Sequence, residues 1–139
     1  MNEKILIVDD DEAFCRLLAE RMRHRDMEVE TAVSAAEALQ LLERKAFDAV
    51  LLDLMMPEMD GIEALKRMLE KRPETQVILL TGYPSVSRGV EALKLGALDF
   101  ILKPVDLNEL TEKIRQARTG RLILVEKKNR EKIRRILTE

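Results

Sequence analysis

Residues 47–61, FDAVLLDLMMPEMDG, constrain the fold more than any other stretch. Ala49, Val50, Leu51 and Leu52 form a short continuous apolar run, the pattern of a strand buried on both faces of a parallel sheet. The run ends on one carboxylate, Asp53, and a turn carrying Pro57 and Gly61 follows. In open α/β sheets the ligand crevice lies outside the carboxyl ends of the strands, so an acid there is a candidate site residue on position alone.

The same unit recurs along the chain. Lys4–Val8 (KILIV) is an apolar run followed by three acids, and Phe14, Leu17, Leu18 and Met22 then recur at helical spacing over about residues 12–23. Met27–Thr31 alternates apolar and polar like an edge strand, and Ser34 with Glu37 reads as a capping box opening a helix through Ala38, Leu41 and Leu42. After the central strand, Ile62, Leu65, Met68 and Leu69 give a third helix that Pro73 stops. Gln76–Leu80 is a buried strand ending on Thr81 and Gly82; Pro84 is placed to start a helix bearing Val90, Leu93 and Leu95, with Gly96 as its C-terminal cap. Asp99–Leu102 is a fifth short strand ending on Lys103 and Pro104, and Asp106 with Glu109 begins a helix carrying Leu107, Leu110, Ile114 and Ala117. Five β-α repeats imply a doubly wound, mostly parallel sheet with helices on both faces.

Gly120 interrupts this pattern. Beyond it Leu122, Val125, Ile133, Ile136 and Leu137 recur at nearly helical spacing, which predicts an additional amphipathic C-terminal helix too short to be stable alone. The expected organisation is therefore one domain over residues 1–118 and a helical tail or linker over 119–139. Of 24 basic and 26 acidic residues, seven and three fall in 121–139, which leaves 17 and 23 in the body. An acidic body thus carries a basic tail, most simply a solvated helix face.

The polar residues at the strand ends carry the chemistry. They are Asp9, Asp10 and Asp11 after the first strand, Asp53 after the third, Thr81 after the fourth and Lys103 after the fifth. In a sheet ordered 2-1-3-4-5 these strands are neighbours, so the residues converge on one edge. Clustered carboxylates repel one another and call for a hard cation, for which oxygen ligands suit Mg²⁺. A carboxylate so placed can attack phosphorus to form an acyl phosphate, while Lys and Thr stabilise the transferring oxygens. Asp11 is expected to cap the following helix, because one acid suffices for a cap; Asp9 and Asp10 are left for function.

With these residues in view, the chain resembles the receiver domains of two-component response regulators. The resemblance covers about residues 3–118 and rests on KILIVDDD, DAVLLDLMMPEMDG, VILLTGY, GALDFILKP and their spacing. It implies a flavodoxin-like (βα)5 fold in which Asp53 accepts a phosphoryl group from a sensor histidine kinase or phosphotransfer protein. It further implies Mg²⁺ held by Asp10, Asp53 and the backbone carbonyl of Met55 with Asp9 assisting, Lys103 pairing with the phosphoryl group, and Thr81 hydrogen-bonding to it. The bond before Pro104 is expected to be cis. Phe100 falls at the family's switch aromatic, so phosphorylation is expected to shift Thr81 and Phe100 and reshape the face made by the fourth helix, fifth strand and fifth helix. Such a protein is a signalling switch rather than an enzyme, beyond promoting its own phosphorylation and dephosphorylation. Met55 and Tyr83 flank the route of hydrolytic water without an acid or amide, so a long-lived phosphoryl group is expected.

Rival chemistries fit less well. A nucleotide or flavin site would need a glycine-rich loop where DDDEAF stands. An aspartyl-phosphate hydrolase usually carries a second acid two residues after the nucleophile, where this chain has Met55. A degenerate receiver that only binds partners would lack ligand positions that are all filled here. The single histidine, His24, lies at the far end of the first helix, and the single Cys15 reads as a small buried hydrophobe. No apolar run approaches the roughly 20 residues of a membrane span, so a cytoplasmic protein is expected, without membrane or direct nucleic-acid contact by the receiver. The output is expected to be that of the N-terminal part of a transcriptional regulator or of a single-domain regulator. Pairing of two copies is expected through the fourth helix, fifth strand and fifth helix, or through a tail seam of Leu122, Val125, Asn129 and Ile136.

Overall fold

The computed structural model describes residues 2–56, 60–82 and 86–138. Ten elements alternate: β1 Lys4–Val8, α1 Glu12–Arg23, β2 Glu28–Ala32, α2 Ala35–Arg44, β3 Ala49–Asp53, α3 Gly61–Lys71, β4 Val77–Thr81, α4 Val86–Lys94, β5 Asp99–Leu102 and α5 Leu107–Thr138. The strands form one parallel sheet in the order β2-β1-β3-β4-β5. This is the parallel sheet that the β-α recurrence implied and the flavodoxin-like fold that the resemblance implied. Pro57, Tyr83 and Pro84 lie outside the described residues.

Strand periodicity divides the core into two layers. Leu6, Val8, Val50, Leu52, Val77 and Leu79 face the layer containing α2 and α3, whereas Ile5, Ile7, Ala49, Leu51, Ile78 and Leu80 face α1 and the first half of α5. All of these strand residues are fully buried, so β1, β3 and β4 cannot slip in register without placing their polar ends in the core. Register therefore fixes the height of the carboxyl ends: Val8 pairs with Leu52, Asp53 with Leu80, and Thr81 with Leu102.

Helix ends follow local chemistry. The Asp11 carboxylate accepts from Phe14 N, and Ser34 Oγ accepts from Glu37 N at 3.2 Å. The return bond of this box reaches Val33 N, one residue before the cap. Gly96 ends α4 at φ +115°, a conformation that favours glycine.

Three details depart from the helical periodicity. In α1 the buried face is Cys15, Leu18, Ala19 and Met22; Leu17 is half-exposed and Phe14 only partly covered. In α4 the buried residues are Gly89 and Ala92, while Val90 and Leu95 face outward. A Cβ on Gly89 would lie 3.5 Å from the Phe100 ring, so only small residues admit α4 this close to β5. Finally, Gly120 does not separate two helices: the predicted C-terminal helix is a direct continuation of α5, which runs for 32 residues. Where α5 passes the base of the sheet, Arg118 approaches Glu3 at 3.7 Å and Arg121 pairs with the buried Asp48 at 3.1 Å. Beyond that point Leu122, Ile123, Ile133, Ile136 and Leu137 are all exposed.

Among the described residues, no helix is long and apolar enough to cross a membrane.

Candidate functional site

The carboxyl edge of the sheet gathers the strand-end residues. Asp9, Asp10 and Asp53 each bring a carboxylate oxygen within 4.8 Å of the other two. Asp9 and Asp53 are buried, and Asp10 is open to solvent. An all-oxygen set of this kind, partly buried and partly wet, fits a hard divalent cation that retains water.

Asp9 is held from two sides. Its Oδ1 accepts from Asp11 N at 3.0 Å, and its Oδ2 accepts from Lys103 Nζ at 2.9 Å. Lys103 Nζ also stands 3.8 Å from Asp53 Oδ2, so one ammonium serves both acids. The lysine reaches the site because Lys103 N donates to Thr81 O at 2.8 Å, extending the β4-β5 ladder by one step; the Lys103–Pro104 bond is cis, as expected.

Asp53 Oδ1 accepts from Met55 N at 3.0 Å, which orients the carboxylate and leaves Oδ2 toward the lysine. Burial pushes the Asp53 carboxyl above its ordinary value; Asp9 and Asp10 add to this, while the Met55 amide and the Lys103 ammonium oppose it. The Asp53 charge is thus incompletely compensated by its neighbours.

Thr81 is fully buried, and its hydroxyl donates to the adjacent Gly82 carbonyl at 3.2 Å, a local bond that can be exchanged for a better acceptor. Phe100 is half-buried, packed against the α3-side core and beside Gly89. The Met55 side chain is more than half exposed, at 57%. Its backbone is bridged to Asp60, which caps α3 by accepting from Ile62 N and also pairs with Arg88 of α4. The turn after β3 is therefore tied to the fourth helix.

Two predicted bystanders are where expected. His24 is exposed at the C-terminal end of α1, away from the carboxyl edge. Cys15 is buried with its thiol donating to Asp9 O at 3.3 Å, and burial first, then the Asp9 charge, pushes it up to about 11. It stays protonated at neutral pH and is no nucleophile. Periodicity did not single out two residues near the site. Phe14, whose ring lies under the Lys103 ammonium 4.4 Å from its centroid, registered only as an apolar position on a helix. Arg88 gave no signal at all.

The family model for the response regulator receiver domain matches residues 5–115. The transcriptional regulatory protein ZraR of Klebsiella oxytoca is 44% identical over 106 residues, covering 76% of this chain and 24% of that protein. The regulatory protein AtoC of Escherichia coli is 43% identical over 114 residues, covering 82% and 25%. The chain thus spans about a quarter of the length of these curated relatives. A CheY-like response regulator receiver domain from Methanospirillum hungatei superimposes with a TM-score of 0.81 at 36% identity, covering 87% of this chain and 97% of that one.

Proposed function

The chain belongs to the response regulator receiver family and is a receiver domain of two-component signalling, and from that premise we propose that Asp53 is its phosphoacceptor. The observation that carries this is the convergence of three carboxylates at the edge of the sheet, two of which, Asp9 and Asp53, share one ammonium. A carboxylate oxygen of Asp53 bonds to phosphorus as the phosphorus–nitrogen bond of a kinase phosphohistidine breaks. The bonding pair leaves with the imidazole, and an acyl phosphate remains on the protein. Lys103 follows the charge onto the transferring oxygens, and Thr81 exchanges its bond to Gly82 for one to the phosphoryl group.

Asp9, Asp10, Asp53 and the Met55 carbonyl would hold Mg²⁺, which when bound offsets the carboxylates and the charge of the entering group. The protein is a signalling switch, and its catalysis is confined to its own phosphorylation and dephosphorylation. Its donor, a sensor histidine kinase or phosphotransfer protein, places it in the cytoplasm. Movement of Thr81 leaves space for Phe100, and the surface of α4, β5 and α5, where Val90, Leu95, Leu98 and Leu102 are exposed, changes shape with it. That surface or the extension of α5 pairs two copies. By analogy with the relatives named as transcriptional regulators, the signal passes to an output module.

The test is labelling with radioactive acetyl phosphate in the presence of Mg²⁺. Wild type takes up label and Asp53→Asn does not; equal labelling of both would refute the assignment. With neither an acid nor an amide at Met55 or Tyr83 in the sequence, the phosphoryl group is long-lived, and Met55→Asn shortens its lifetime when decay of the label is followed.

A further inference from the structure

We infer that the ring of Phe14 is a positioning residue for Lys103, holding its ammonium at the site by a cation–π contact; this rests on the role proposed for Asp53 and Lys103. Lys103 reaches the acids on a flexible four-carbon stem and is still 29% exposed, so without a restraint its ammonium would sample solvent as well as the site. Two of its partners are the Asp9 and Asp53 carboxylates, at 2.9 and 3.8 Å. The third is the face of the Phe14 ring, with Nζ 4.4 Å from the centroid, well inside the range of such contacts.

The ring is itself held in place. Phe14 N donates to Asp11 Oδ1 at 3.1 Å in the first turn of α1, and the side chain packs against the core layer that also receives Val105 and Leu107. Asp11, the helix cap, thereby connects to catalysis through the residue it anchors. The ring also differs in kind from the carboxylates. A phosphoryl group on Asp53 draws the ammonium away from Asp9, and a hydrogen-bond partner would have to be broken for that movement. The face of a ring has no directional bond to lose, so Lys103 can slide across it while remaining attracted. An aliphatic side chain of similar size would pack against the stem but would not attract the charge.

The experiment compares Phe14→Leu, Phe14→Tyr and Phe14→Trp with wild type in second-order labelling by acetyl phosphate, each variant checked for an unchanged thermal midpoint. Phe14→Leu is expected to slow labelling about three- to tenfold, and Tyr or Trp to restore it to within about twofold, because the ring face is retained. In a Lys103→Met background, Phe14→Leu is expected to add less than about a twofold change, since the ring acts through the lysine. The ε-methylene protons of Lys103 should show a ring-current shift that Phe14→Leu abolishes and Phe14→Tyr keeps. Wild-type rates for Phe14→Leu, or an equal loss with and without Lys103, would overturn the inference and leave Phe14 a packing residue. Label on Asp53→Asn would instead overturn the underlying assignment of the phosphoacceptor.

Discussion

Gly61 lies so close to Leu54 that a Cβ on the glycine would stand 2.7 Å from the Leu54 Cα and 2.8 Å from its carbonyl oxygen. Leu54 directly follows Asp53, so the first turn of α3 is stacked on the backbone that aims the Asp53 carboxylate. Neither contact is a flexible side chain that could move aside. Gly61→Ala should therefore cost about 2–3 kcal/mol in chemical denaturation, as overpacking does. It should also slow labelling by acetyl phosphate about tenfold or more, because the displaced turn carries Asp53 with it. Wild-type stability in this variant would mean that the turn yields freely.

Asp9 and Lys103 form the most buried ion pair at the site, with Asp9 at 1% exposure. Lys103→Met leaves that carboxylate without its cation, and with the lysine partly exposed the expected loss is about 1–3 kcal/mol in the presence of a chelator. Asp9→Asn in the same background should recover most of it, since a neutral amide needs no counter-charge. A double-mutant cycle in urea measures the coupling; additive losses would show that the two residues do not depend on one another.

Asp53 has its carboxyl raised, chiefly by burial. The folded state therefore holds the Asp53 proton more tightly than the unfolded state does. The associated stability is fully present below the unfolded pKa and is lost as pH rises through the folded one. At neutral pH the ionised group is a net burden, and Asp53→Asn should raise the thermal midpoint by about 2–5 °C without divalent metal. The gain should fade as pH falls through the raised titration range of Asp53, where the wild-type carboxyl takes up its proton. A midpoint lower than wild type at neutral pH would contradict the sign.

The exposed extension of α5 offers Leu122, Val125, Asn129 and Ile136 on one heptad seam. Light scattering over a concentration series should show weak self-association, since two heptads give little area. Val125→Glu with Ile136→Glu should leave a monomer at every concentration. Association that survives these changes would locate the interface on α4, β5 and α5 instead.

The strands and the strand-end residues were legible because unbroken apolar runs such as AVLL have few alternatives to a sheet covered on both faces. Once β1, β3, β4 and β5 are neighbours, the meeting of Asp9, Asp53, Thr81 and Lys103 follows from register. Helix faces were less legible because periodicity counts large apolar residues. Where a helix approaches the sheet closely, small residues occupy the contact, as Gly89 and Ala92 do in α4 and Ala19 does in α1, and large ones such as Leu17 and Val90 turn outward. The Phe14–Lys103 contact joins the first helix to the end of the last strand, a separation that no local pattern spans. Gly120 reads as a break because glycine is a poor helix former. In the folded chain α5 continues through Gly120, and a Cβ there would make only an ordinary contact with Gln76 Oε1 at 3.4 Å.

A helix without a joint transmits angle as well as position. From Leu122 to Thr138, α5 advances roughly 26 Å beyond its anchor on Asp48, turning about 100° with each residue. Anything attached at its far end inherits a fixed azimuth relative to Asp53. One residue inserted after Arg121 would swing that attachment by more than a quarter of a circle while lengthening the reach by only about 1.5 Å, so coupling through this shaft should be far more sensitive to phase than to length.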